Sequence, residues 1–336
     1  MKSNKYEIDM CNGSIMDKLV SFALPLMLSG ILQLMFNAVD IIVVGRFSGS
    51  EALAAVGSTT ALINVFTNLF IGISLGANVL AARFFAAGRK EEMSETVHTS
   101  ITLALISGIL MAFVGLVFSK GALELMGTPE DVIGLSTLYM RIYFMGMPFF
   151  MLYNYGAAIL RAVGDTKRPL YFLIIAGVIN AGLNMVLVIV FGLGVAGVGI
   201  ATVLSQMVSC VLVLTCLCRT EGSYKLSFSK LSMKGYYLKQ IFQVGIPAGI
   251  QSTVINFSNA LLQSSVNSFG STAMAGYTAA NNILGFLYVS INSVTQACMS
   301  FTSQNFGVGK YKRMDRVLID CMILSVGAAL VLGCGA

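Results

Sequence analysis

Apolar residues in this chain run continuously instead of alternating with polar ones. Nearly uncharged stretches cover residues 19–44, 52–82, 97–118, 135–160, 170–191, 195–217, 241–266, 273–301 and 317–336. A helix rising 1.5 Å per residue needs about 20 residues to cross roughly 30 Å of hydrocarbon, and each stretch meets that length. The fourth carries a charge near its start, Arg141. The pattern predicts nine transmembrane helices. Barrel strands do not fit, because they are about ten residues long and alternate apolar with polar.

The polar connections refine this picture. Hydrophobic residues make up 56% of the chain and charged residues 11%, where a soluble domain carries about a quarter charged. Of the 21 Lys and Arg residues, 18 fall on one side of the predicted bilayer, leaving Arg46, Lys120 and Arg141 for the other. The positive-inside rule then places the N-terminus of a multi-pass membrane protein in the cytoplasm. The net charge of +6 is a topology signal, with no nucleic acid as partner. The first apolar run is too long for the core of a signal peptide and is followed by further spans.

Past residue 220 the chain repeats itself. At an offset of 222, Pro25 pairs with Pro247, Asn37 with Asn259 and Phe47 with Phe269. After a one-residue gap the offset is 221, pairing Ala52 with Ala273, Phe85 with Phe306 and Gly88 with Gly309. Weak internal symmetry of this kind marks duplicated transporter halves. The expected fold is an all-α polytopic membrane protein of two pseudo-symmetric helix bundles, six helices plus about three of an expected six. The bundles are expected at residues 1–218 and 239–336, joined by a charged cytoplasmic linker over 219–238. Copies of spans four to six are missing and the chain stops inside an apolar run, which reads as truncation.

No phosphate loop, nucleophile elbow or zinc motif occurs, so catalysis is not expected. The seven cysteines lack histidine or carboxylate partners at ligand spacing and read as reduced structural thiols. His98, at the start of span three, reads as an interfacial polar residue. Asp40 needs the most explanation. A carboxylate at the centre of a membrane helix costs about 2.5–3.5 kcal/mol, so such residues usually face a cavity and serve ion or proton pathways. Protonation at Asp40 is then a physically reasonable switch. Pro25 lies fifteen residues earlier in the same helix and predicts a kink that gives two packings, and Pro247 predicts another in the copy, where Leu262 replaces the carboxylate.

Asn180 and Asn184, at i and i+4, share one helix face. Membrane-embedded amides either glue helices together or line a wet cavity. The same alternatives apply to Asn37 and Asn259, to Asn64, Asn68 and Asn78, and to Asn281, Asn282 and Asn292. Their abundance favours a cavity. Span four is rich in Met140, Met145, Met147, Met151 and aromatic rings, which suit either organic cations or lipid-facing packing.

The segment Arg161-Ala162-Val163-Gly164-Asp165-Thr166-Lys167-Arg168-Pro169, together with Asn37 to Asp40 followed by Gly45-Arg46, resembles the multidrug and toxic compound extrusion (MATE) family. Asn180 to Asn184 leading into Gly194-Val195-Ala196-Gly197 fits the same family. The resemblance implies a two-lobed exporter of cationic or amphipathic organic compounds, working by alternating access without a cofactor and driven by protons or sodium. It places the coupling ion at Asp40, with Tyr139, Asn180 and Thr202 in the surrounding polar network and Pro25 as the bending proline. Many relatives carry a second carboxylate where this chain has Asn184, and proton coupling is preferred. Alternatives are a non-transporting membrane fragment and a flippase for lipid-linked intermediates. The resemblance and the compact loops imply the inner (plasma) membrane, and such an exporter is expected to be monomeric at full length.

Overall fold

The computed structural model describes residues 6–267 and 271–335. Its helices are α1 (Ile15–Phe47), α2 (Gly49–Ala86), α3 (Lys90–Leu125), α4 (Glu130–Met145), α5 (Met147–Ala162), α6 (Lys167–Asn184), α7 (Gly194–Arg219), α8 (Gly235–Asn267), α9 (Ser271–Gly307) and α10 (Tyr311–Gly335). Among the described residues five segments are long and apolar enough to cross a membrane: α1, α2, α3, 167–190 and α7.

Two of the predicted spans differ in detail. The fourth is not one helix. It breaks at Gly146, with Pro148 in the first turn of the next segment, so α4 and α5 are sixteen residues each. Proline lacks a backbone N–H and crowds the preceding turn, which makes a helix start at that place easier than a helix interior. The fifth span loosens into a π-helical stretch at Met185–Val190, directly after Asn184. Gly192 (φ 65°) and Gly194 (φ 54°) then turn the chain into α7 through the left-handed region that side chains avoid.

Helices α1–α7 form a first bundle in which α2 touches α3, α4 and α5, while α6 and α7 pack on each other. Its core is built from Val97, Ile101, Phe144, Met147, Met151, Tyr155 and Val213, among others. Met140 belongs to it as well, so most of the methionines of span four fill the interior instead of facing lipid, and only Met145 is exposed. Helices α9 and α10 pack together in the second group.

The two groups meet along α2 with α8 and α1 with α9. Small residues set the first crossing. A Cβ on Gly72 would overlap the backbone of Gly249, one on Gly76 would overlap the carbonyl of Ile241, and one on Gly245 would lie 2.6 Å from Ile73 Cα. Glycines four apart on both helices let the backbones approach closely, as membrane helix pairs commonly do. The second crossing is aromatic. Phe22 meets Phe301 edge to face at 5.7 Å, within a cluster that also holds Leu19, Leu26, Val294 and Val317. Each large ring buried there removes substantial apolar area and gains about 0.5–1.5 kcal/mol from the ring pair itself.

The N-terminal arm lies across the same end of the molecule. Glu7 accepts a hydrogen bond from Tyr224 (2.7 Å), and the Ile8 N–H donates to the Gly164 carbonyl. Farther along, the carbonyls of Met10 and Cys11 accept from Asn305 (3.1 Å) and Lys310 (3.0 Å), while Arg313 binds the carbonyls of Asn12 and Gly13. The arm therefore touches both helix groups.

Candidate functional site

Helices α1 and α6 position the site. Gly177 has no side chain, and the Phe36 ring occupies the space that a Cβ there would fill. One turn farther along α1 and two turns farther along α6, Asp40 comes against Asn184. Asn184 Nδ2 donates to Asp40 Oδ1 and lies 3.2 Å from Asn180 Oδ1, linking the three side chains. Asp40, Asn180 and Asn184 are all buried. Among the described residues no cation pairs with Asp40, and Asn184 Oδ1 is buried without a hydrogen-bond partner. The alternatives for span five are thus joined: the amides bridge two helices and do so at the carboxylate.

Tyr139 is buried on α4, within electrostatic reach of Asp40. Gly199 of α7 lets α4 approach: a Cβ there would sit 3.0 Å from Ile142 and 3.5 Å from the Tyr139 ring. Tyr143, one turn on, also feels Asp40 and lies near Gln206 of α7, two residues without a mark in the sequence. Thr202 is half-buried, and its hydroxyl donates to the Val198 carbonyl of its own helix at 3.0 Å instead of joining the amide chain. A hydroxyl in a helix often makes that local bond when no better acceptor is near.

The cavity candidates separate. Asn37, Asn64 and Asn259 are exposed, as are Asn281 and Met145, and the side chain of Asn282 lies outside the described residues. Asn68 bonds the Asn64 carbonyl of its own helix. Asn78 is buried and acts as glue, donating to the Ala158 carbonyl at 2.9 Å and accepting from Ser300 at 3.0 Å. Gln304 adds a second tie, donating to the Ala162 carbonyl at 2.7 Å. Pro25 is buried and Pro247 exposed, and both helices run through their prolines without interruption.

The loop after α5 is held by its own ion pair. Asp165 is wholly buried and accepts from the Arg168 guanidinium and, at 3.1 Å, from the Arg168 N–H. Burial pushes the Asp165 carboxyl upward, and Arg168 opposes that shift. His98, buried on α3, hydrogen-bonds through Nδ1 to the Ser94 carbonyl (2.6 Å) and accepts at Nε2 from the Ser227 N–H (3.1 Å). It pins the connection between the two helix groups, a more specific task than an interfacial polar residue performs.

A polytopic helical bundle with the Asp40 carboxylate buried beside two amides defines a multi-helix membrane protein with a candidate ion site. More narrowly, the chain belongs to the MatE family, whose model matches residues 25–186 and 247–334. It is 34% identical over 306 residues to the probable multidrug resistance protein YoeA of Bacillus subtilis, covering 88% of this chain and 66% of that protein. It is 24% identical to the FAD transporter of Shewanella oneidensis, covering 90% of this chain and 67% of the relative. The chain thus spans about two thirds of the length of these relatives. Among solved structures, it superposes on the outward-facing conformation of a multidrug resistance MATE family transporter with a TM-score of 0.90 at 24% identity, covering 99% of this chain and 74% of that one. A MATE structure in the bent conformation gives 0.89, also at 24% identity, covering 96% and 72%. Both likenesses concern the fold. Members of this family are transporters, not enzymes.

Proposed function

We propose that this chain is a multidrug efflux antiporter of the inner membrane, exporting cationic or amphipathic organic compounds in exchange for protons by alternating access. The observation that carries the reading is Asp40, buried, without a cation and tied to Asn184 and Asn180. A buried carboxylate with a single hydrogen-bond donor gains by binding either a proton or a positive ion. Protonation also gives the amide a new role. Asn184 donates to the ionised carboxylate, while a protonated Asp40 would donate to the amide oxygen after rotation of the Asn184 side chain. Pro25, in the same helix, supplies the place where α1 bends between two packings.

In this reading residues 1–218 and 239–336 form the two lobes, the 219–238 segment links them, and the N-terminus lies in the cytoplasm. The relatives named as multidrug resistance proteins support the substrate class. A second reading, sodium coupling, rests on the unpartnered Asn184 Oδ1 beside Asp40 and the Asn180 oxygen, which together offer a hard cation oxygen ligands.

Proteoliposomes loaded with a fluorescent lipophilic cation test both. Efflux driven by an imposed proton gradient at zero sodium supports proton coupling, and efflux driven only by sodium supports the second reading. Absence of exchange under either gradient contradicts the proposal.

A further inference from the structure

The repeat carries a reversal of charge. Continuing the 221-residue offset past Gly88 and Gly309, Glu91, Glu92 and Glu95 at the start of α3 correspond to Lys312, Arg313 and Arg316 at the start of α10. The acids suit their position, because the first turn of a helix presents unpaired N–H groups and a partial positive charge. The cations do not. Lys312 and Arg316 are also four residues apart on one face, where like charges repel. Asp315 in the same turn offsets only part of this, and three cations against one carboxylate leave an excess of positive charge that favours an anion.

The surrounding geometry supplies a place for it. A cavity of about 590 Å³ is walled by Lys312, Arg313, Arg316 and Asp320 of α10 and by Ser14, Ile15 and Met16 at the start of α1. Ser14 makes no side-chain cap, so the opening N–H groups of α1 add a second source of positive potential. Arg313 spends Nη2 on the carbonyls of Asn12 and Gly13, while its Nε is buried with no partner. Among the described residues neither Lys312 nor Arg316 forms an ion pair. On the cavity wall one carboxylate, Asp320, stands against three cations, while the exposed Asp17 in the first turn of α1 and the exposed Asp315 between Arg313 and Arg316 lie outside the lining.

We propose that this cavity binds the phosphate of an anionic phospholipid headgroup from the cytoplasmic leaflet. The lipid source follows from position: the cavity lies where α1 and α10 begin, on the side that the Lys and Arg distribution assigns to the cytoplasm, at headgroup depth. The headgroup bridges α1 of the first bundle and α10 of the second, so it binds best while those ends are together. That conformational preference rests on the alternating-access reading, whereas the binding does not.

Native mass spectrometry of the full chain in detergent, titrated with phosphatidylglycerol, phosphatidylcholine or inorganic phosphate, tests the site without any transport measurement. Phosphatidylglycerol is expected to bind, and the double variant K312Q/R316Q to weaken it about tenfold or more. Both residues are exposed, so the unliganded variant should melt with the parent protein. The control pair K225Q/K230Q, also exposed in the 219–238 connection, should leave binding unchanged. Equal losses in both pairs would reduce the effect to general surface charge and overturn the proposal. So would unchanged binding in K312Q/R316Q, equal binding of phosphatidylcholine, or displacement by millimolar inorganic phosphate, the last marking a soluble-anion site instead.

Discussion

Asn184 and Asp40 lie 144 residues apart in sequence, and the amide of one donates a hydrogen bond to the carboxylate of the other inside the helix bundle. The contact ties α6 to the buried carboxylate of α1. A hydrogen bond to a charged group contributes about 1.5–3 kcal/mol. Replacing Asn184 with Leu should therefore leave an ionised Asp40 without its donor. The expected result is a loss of coupled transport at least tenfold larger than that of Asn64→Leu, an exposed amide elsewhere in the first bundle. Initial rates in proteoliposomes would show it, and equal effects of the two substitutions would deny Asn184 its special place.

The α2–α8 crossing depends on missing side chains. Gly72→Val puts branched carbons into the backbone of Gly249, and Gly245→Val does the same toward Ile73. Overpacking of this kind costs about 1–3 kcal/mol. Either substitution should lower the apparent melting temperature, while Gly57→Val, at a site with open space around it, should be near neutral in packing. Thermal scanning fluorimetry distinguishes the two classes.

At Asp165 the sign of the pH effect can be worked out. Burial raises this carboxyl above its usual range and Arg168 offsets part of the rise. Its protonated form is therefore favoured by the fold, and its contribution to stability is lost as pH rises through the folded value. Arg168→Ala removes the offset and leaves a buried carboxylate unpaired, at a cost of about 3–5 kcal/mol when it is ionised. The deficit in melting temperature relative to the parent should be larger at pH 8 than at pH 5. A deficit independent of pH would mean that packing alone was lost.

His98 offers a local measurement. Its Nε2 is the acceptor for the Ser227 N–H. His98→Ala should speed hydrogen exchange at Ser227 by about fivefold, since roughly 1 kcal/mol of hydrogen bonding is removed. Exchange at Leu226, whose N–H bonds the Leu217 carbonyl, should change less.

Much of this was legible in the chain. Continuous apolar runs announced the helices, and i, i+4 spacing placed Asn180 and Asn184 on one face with a carboxylate elsewhere to meet. What spacing lacked was the partner. Nothing local distinguishes Asn78, which ties α2 to α5 and α9, from Asn64, which is exposed on the same helix. That difference is set by which neighbour packs against each face. The π-helical stretch at Met185–Val190 likewise has no sequence mark, because Val, Leu and Ile there suit an ordinary helix in a membrane. The break between α4 and α5 was within reach, since Gly146 and Pro148 are helix-breaking residues, but the apolar run around them masked it. Thr202 fails to join the network because its own helix offers a nearer acceptor.

Coupling at Asp40 is the central claim, and Asp40→Asn tests it most directly. The amide is nearly the same size and keeps hydrogen bonding to Asn184 possible, but cannot take up a proton at working pH. Proteoliposomes should be driven in parallel by a proton gradient and by a substrate gradient alone, with export of the same lipophilic cation recorded. The variant should lose proton-driven accumulation while still folding and binding substrate. Accumulation at the parental rate and pH dependence would contradict the claim.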